Sequence, residues 1–327
     1  MKTDNTTHPV IICGYPKSGT TLFCSLLDGH PELMVIPEEF PFFKAYNRPN
    51  MKELLLEKKC FSAYDVGEIT HGSGYRDYSD IDFPLMKDKV EQLLASTSDQ
   101  RAIYAGCIDI LFHFFGTEGS KYWVEKTPLN ERHYAIFKKW YGDGVHFLHI
   151  VRDPRDVFSS YGKRRKELTL EKFVKQWAFS TELGTRLAER DDKYVMFRYE
   201  DLVSNPEKTL GSLCEKLGIE FTKSLLVPTK NNTPWGGNSM HGKQFNRISA
   251  SQVGVHKDKV PAEDVRRIEA ALSRWMDGFG YREKLPGMGK NIARKNVLLW
   301  RVLNRISYDF YLRTFRFLNK RIEYIAL

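Results

Sequence analysis

Residues 14–21 read Gly-Tyr-Pro-Lys-Ser-Gly-Thr-Thr. Gly14 and Gly19 have the spacing of GxxxxGK[ST], a loop whose backbone N–H groups cradle phosphates. Thr20 stands where that pattern has lysine, and the lysine occurs earlier, as Lys17. Triphosphate sites use the missing lysine together with Mg²⁺ to hold the β- and γ-phosphates. The loop therefore suits a less charged phosphate, held by one lysine, backbone donors and the hydroxyls of Thr20 and Thr21. Arg152 ends an apolar run, and Ser160 follows in the next segment. An arginine at a strand end and a hydroxyl two turns into the following helix can share one phosphate. Glu38 and Glu39 follow the apolar run 33–36 and lie among prolines and phenylalanines. A carboxylate desolvated there has a raised pKa and can act as a general base. The nine histidines show no HExxH spacing and the five cysteines no CxxC pair, so no metal site is expected.

Apolar runs at 10–14, 33–36, 121–125, 145–151 and 194–198 read as strands. Between and after them, helical patterns fall near 18–29, 131–140, 155–167, 170–190 and 206–217, with a late amphipathic helix over 262–277. Asp153 is placed to cap the third of these, with Pro154 at its first position. The alternation predicts an α/β fold, a P-loop-like parallel sheet with helices on both faces. In such sheets ligands bind at the carboxyl ends of the strands, where the phosphate loop and Arg152 fall.

Three stretches together resemble the PAPS-dependent sulfotransferase family (PAPS is 3′-phosphoadenosine 5′-phosphosulfate). Pro16–Thr21 is similar to its 5′-phosphosulfate loop, Arg152–Tyr161 to its 3′-phosphate motif, and Phe197–Pro206 to its YEDL segment. The resemblance implies that Lys17 contacts the bridging oxygen of the donor and that Ser18, Gly19, Thr20 and Thr21 hold the 5′-phosphate. It further implies that Arg152 and Ser160 bind the 3′-phosphate and that Tyr199 lies beside the adenine. Glu39 followed by Pro41-Phe42-Phe43, and Glu125-Lys126-Thr127-Pro128, resemble the glycan-modifying branch. There Glu39 would be the base, with Glu38 left open as the alternative, and Lys126 a second cationic stabiliser. Residues 235–239 and 249–254 resemble the loop that closes over the cofactor, with Ser249 in the register of a cofactor-contacting serine of tyrosylprotein members. Val255 and His256 stand where many relatives have a basic residue and tryptophan; Lys243, Arg247 or Lys257 are the substitutes on offer. The implied donor is PAPS and the product PAP, without metal. The implied acceptor is a hydroxyl of a glycan or glycolipid, with tyrosine or a small alcohol as alternatives and a P-loop nucleotide kinase as the competing class.

The chain has 327 residues and a net charge of +9, with 42% hydrophobic and 13% aromatic residues, a globular composition. Beyond residue 289 stand nine basic residues against two acidic ones, +7 of the total. The near-neutral body argues against nucleic acid as a partner. The expected organisation is a sulfotransferase domain over 1–285, with 44–118 as a variable, acceptor-specific region, and a basic amphipathic tail over 286–327. Leu299, Leu303, Ile306, Phe310 and Phe317 share one helical face in the tail, flanked by Arg301, Arg305, Arg316 and Lys320. Such a helix suits docking on the body, self-association through 292–325, or peripheral contact with an anionic membrane. The odd, widely spaced cysteines and the polar start of the chain lead to an expected cytoplasmic location, with that peripheral contact as an option.

Overall fold

Each of the five apolar runs forms a strand in the computed structural model, which describes residues 7–40, 42–59, 81–116, 120–161, 168–231, 233–234 and 247–282. The strands are β1 (His8–Cys13), β2 (Leu33–Val35), β3 (Tyr122–Lys126), β4 (His146–Val151) and β5 (Tyr194–Arg198). All pair in parallel, in the order β2-β3-β1-β4-β5. The residues of β1 to β4 are buried except His8, whereas in the edge strand β5 only Tyr194 is buried and the rest are half-buried. Continuous apolar character, not alternation, is what a sheet covered on both faces requires.

The eleven helices among the described residues are α1 (Thr20–Leu27), α2 (Met51–Glu53), α3 (Phe83–Ser96), α4 (Gln100–Phe115), α5 (Tyr134–Tyr141), α6 (Pro154–Ser160), α7 (Leu170–Ala188), α8 (Tyr199–Ser204), α9 (Pro206–Leu217), α10 (His256–Lys259) and α11 (Ala262–Gly278). A short hairpin pairs β6 (Thr229–Lys230) with β7 (Thr233–Pro234). Two compact units result. The first comprises residues up to Arg152 and Ser180–Val253; the second comprises Asp153–Phe179 and the chain from Gly254, so the boundary falls within α7.

In the first unit, successive strand residues point to opposite faces. Ile11, Met34, Trp123 and Phe147 enter one core with α3, α4 and α5. Val10, Ile12, Val35, Val124, Leu148 and Ile150 enter the other with α1, α8 and α9. Fully burying such side chains stabilises by roughly 1.5–3 kcal/mol each. Within the second unit, Asp153 caps α6 by accepting from Arg155 N at 2.9 Å. Arg155 in turn reaches Glu269 of α11 at 2.5 Å and Tyr281 O at 2.6 Å.

Helix boundaries differ from the sequence reading where backbone conformation intervenes. The first helix starts at Thr20 because Gly19 has φ 98°, a left-handed conformation no helix continues through. A 3-10 turn, Asn130–His133, precedes α5. The sequence reading also passed over α3 and α4 within the variable region. Their signals were present: Asp82 and Asp99 cap them, accepting from Leu85 N at 2.9 Å and Ala102 N at 2.7 Å. Met86, Val90 and Leu94 make the buried stripe of α3, and Tyr104, Cys107 and Leu111 that of α4. The run 71–80, the loop 235–246, the boundary at 285/286 and the tail at 292–325 lie outside the described residues. Among the described residues, no helix is long and apolar enough to cross a membrane.

Candidate active site

Every strand of the sheet delivers one candidate group at its carboxyl end. The loop from Gly14 follows β1, Glu38 and Glu39 follow β2, Lys126 ends β3, Arg152 follows β4, and Tyr199 follows β5. The strand order therefore places the glutamates and Lys126 on one side of the phosphate loop, and Arg152 and Tyr199 on the other.

The loop adopts conformations that only particular residues tolerate. Gly14 has φ 137°, and a Cβ there would lie 2.5 Å from Ile150 O. Gly19 has φ 98°, and its Cβ would lie 2.5 Å from the Tyr199 ring. Lys17, an exposed residue, sits at φ 72°. A non-glycine residue held there costs roughly 1–2 kcal/mol, and such strain collects at functional sites. Gly14→Ala is expected to destabilise the protein by about 3 kcal/mol, combining backbone strain with overpacking against Ile150. Urea unfolding measures it; a loss below about 1 kcal/mol would show that the loop relaxes around a side chain.

The loop runs into α1, whose first backbone N–H groups have no intrahelical partner and favour an anion. Ser18 is 1% exposed, and its Oγ has no hydrogen-bond partner. The Nε of Arg152 is likewise buried without one. Two orphaned donors beside a helix N-terminus fit phosphate oxygens, which supply acceptors. The other guanidinium nitrogens of Arg152 donate to Lys17 O at 3.1 Å and Gln252 O at 2.6 Å. The guanidinium also lies over the Tyr199 ring, 4.5 Å from its centroid. Arg152, Tyr199 and Gly19 thus pack as one group, Tyr199 filling the space that the missing Cβ of Gly19 leaves.

On the opposite side, the two glutamates part company. Glu38 pairs with Lys230 of β6 at 3.0 Å, and both side chains are nearly buried. Glu39 pairs with Lys126 at 2.8 Å; Lys126 is buried, while the Glu39 side chain is 44% exposed. The desolvated member of the pair is therefore Glu38, not Glu39, because Lys230 is available to accompany it. The two lysines, Lys126 and Lys230, line one shallow cleft together with Thr21 and Asp28. Of the two glutamates, Glu39 is the one that combines exposure with contact to Lys126.

Glu125, one residue before Lys126, points into the other face and is fully buried. Burial pushes its carboxyl up from 4.5 to about 8, against the lowering effect of hydrogen bonds from Thr127 and Asn130. The folded state then holds a proton that the unfolded chain releases near pH 4.5. Stability from this group is full below pH 4.5 and is lost as pH rises toward 8. Glu125→Gln removes that dependence while offering an amide to Thr127 and an oxygen to Asn130. Relative to wild type, the variant should gain about 3 kcal/mol between pH 5 and pH 8. Urea unfolding at both pH values tests this, and a pH-independent difference would refute it.

In the second unit, Ser160 donates its hydroxyl to Asp156 O at 2.9 Å. Asp156 anchors the start of α10: its carboxylate accepts from Gly254 N at 2.7 Å and from His256 N at 2.9 Å, and pairs with His256 Nδ1 at 2.6 Å. Asp153, Asp156 and His256 could by proximity share an ion. Their oxygens are already engaged by these donors and by Arg155, which accounts for the cluster as a hydrogen-bonded lock. His256 therefore has a structural partner in Asp156. Ser249 is half-buried and accepts from Ser251 N at 3.2 Å; Arg247 and Lys257 are exposed, and Lys243 lies outside the described residues. His30 is a helix-end residue, accepting from Glu32 N and bonded to Glu220 O. Sequence reasoning missed Lys230 and Glu131, which lie outside the phosphate-binding patterns, and Asp156, which lies inside Arg152–Tyr161 but engages His256 and not a strand end.

A parallel sheet of this order, with a glycine loop after its central strand, defines an α/β protein whose loop is the candidate phosphate site. Residues 9–223 match the model of the sulfotransferase family, and the chain belongs to that family. It is 25% identical over 162 residues to mouse Carbohydrate sulfotransferase 4, covering 42% of this chain and 42% of that protein. It is 23% identical over 316 residues to zebrafish Protein-tyrosine sulfotransferase 1, covering 92% of this chain and 72% of that one. The chain thus spans less than half of the mouse relative's length. The fold is similar to that of the sulfotransferase domain from the Synechococcus PCC 7002 olefin synthase (TM-score 0.54, 20% identity, 86% of this chain and 98% of that one). It is also similar to the sulfotransferase domain from the curacin biosynthetic pathway (TM-score 0.56, 18% identity, 83% and 99%).

Proposed function

We propose that the protein transfers a sulfuryl group from PAPS to a hydroxyl of a carbohydrate or glycolipid. The observation that carries this reading is the division of the sheet edge. Buried anion donors and Arg152 on Tyr199 occupy one side of the loop, and the Glu39–Lys126 pair occupies the other. In the roles proposed, Ser18, Gly19, Thr20 and Thr21 hold the 5′-phosphate, Arg152 the 3′-phosphate, and Tyr199 the adenine. Ser160 and Ser249 join the set on sequence register alone. Glu39 takes the proton of the acceptor hydroxyl as that oxygen bonds to sulfur. Lys126 faces the transferring group, and Lys17 neutralises charge on the phosphate oxygen as its bond to sulfur breaks. Positioning and charge stabilisation then supply the catalysis.

A carbohydrate acceptor rests on the resemblance around Glu39 and Lys126 and on the mouse relative's name. A tyrosine hydroxyl is the second reading, favoured by the longer stretch matched in the zebrafish relative. The first test is thermal stability with PAP, with AMP, and with ATP plus Mg²⁺, since a ligand of the native state raises the midpoint. A shift with PAP that AMP does not produce is expected. A shift confined to ATP plus Mg²⁺ would overturn the reading in favour of a kinase. Transfer of label from PAPS to neutral glycans, tyrosine peptides and small alcohols then separates the acceptor classes.

A further inference from the structure

The turn after β3 is held by two buried carboxylates with different tasks. Glu125 closes the turn on itself, accepting from Thr127 Oγ1 at 2.5 Å and from Asn130 Nδ2. Glu131, 1% exposed, reaches out of it. Its Oε2 accepts from Gly14 N at 3.2 Å and its Oε1 from Ser180 Oγ at 2.5 Å. The same turn also grips the other polar group of Gly14, because Leu129 N donates to Gly14 O at 3.1 Å. Leu129 is itself held at φ 71° to do so. Gly14 is the first residue of the phosphate loop, in a conformation open to glycine alone, so its own sterics restrain it least. A buried carboxylate is costly unless both oxygens are bonded, and here one bond goes to the loop and one to a fixed helix.

We infer that Glu131, anchored by Ser180 of α7, is a positioning residue for the phosphate loop. It sets Gly14, and through Gly14 the placement of Lys17 and the loop donors relative to Lys126 at the end of β3. The inference rests on the reading that this loop binds PAPS. Donors aimed in advance need no reorganisation when the anion arrives, and that is the advantage a clamp confers. Glu131 acts through Gly14 and not by contact with the nucleotide.

The test compares Glu131→Ala, Glu131→Gln and Ser180→Ala in the full chain by two measurements. Amide hydrogen exchange without ligand reports on residues 14–20 and, as reference, on β4. Calorimetry with PAP reports affinity. Glu131→Ala should speed exchange in the loop about 10-fold or more and weaken PAP by about 10- to 100-fold, with β4 at the wild-type rate. Glu131→Gln keeps an oxygen for Gly14 N and an amide for the Ser180 hydroxyl, and should stay within about 3-fold of wild type. Ser180→Ala should fall between them, and serves as the decisive variant if Glu131→Ala does not fold. Unchanged loop exchange in Glu131→Ala overturns the clamp. A loosened loop with unchanged PAP affinity overturns its positioning role, as does a glutamine variant as impaired as the alanine one. Failure of the wild type to bind PAP would remove the nucleotide reading, while the exchange arm would still decide the clamp.

Discussion

Lys17→Ala should lower the transfer rate by about 10³-fold, the scale on which removing a preorganised charge at a developing anion acts, with the fold unchanged. The side chain is exposed, so little packing is lost with it. Alanine also leaves a side chain at φ 72°, so the backbone strain stays as it was and the comparison isolates the ammonium. Lys17→Gly supplies the complementary result. It should be equally inactive yet more stable, by up to about 1 kcal/mol, because glycine accepts this conformation without steric cost. Single-turnover transfer from labelled PAPS reads the first effect and urea unfolding the second. An alanine variant with full activity would end the assignment of Lys17 to the leaving phosphate.

Arg152→Ala should abolish the preference for PAP over AMP. A charge-assisted contact to a phosphate in a buried setting is worth about 2–5 kcal/mol, or at least about 30-fold in affinity. The substitution also removes the hydrogen bonds to Lys17 O and Gln252 O and the cation over Tyr199, so the apo protein will melt earlier. The informative quantity is therefore the difference between the PAP and AMP shifts within each variant, from which the common loss of stability cancels. Arg152→Lys retains a charge but not the planar fork, and should recover only part of the difference. A wild-type difference persisting in Arg152→Ala would move the 3′-phosphate elsewhere, with exposed Arg247 and Lys257 the next groups to substitute.

Much of the frame was legible in the sequence because it is specified locally. Short apolar runs announced five strands, and all five occur. Gly14 and Gly19 marked a loop whose φ values only glycine meets comfortably, and Asp153-Pro154 marked a helix start that the structure contains. The ends of α1 and the existence of α3 and α4 were read less well. Left-handed backbone at Gly19 cut the first, while α3 and α4 carry caps and apolar stripes but no residues of a phosphate-binding motif.

What the amino-acid sequence determined by itself is the set of parts: the strands, the glycine loop, and the lysine, arginine and glutamates at strand ends. Tertiary structure decided which parts meet. The order β2-β3-β1-β4-β5 separates the Glu39–Lys126 pair from Arg152 and Tyr199, and no strand pattern encodes its neighbours. The choice between Glu38 and Glu39 falls to Lys230, brought in from a distant hairpin. The grip on Gly14 comes from Glu131 and Ser180, each on a separate element. Periodicity and turn chemistry act over a few residues, whereas these pairings depend on where the packed sheet carries segments far apart in the chain.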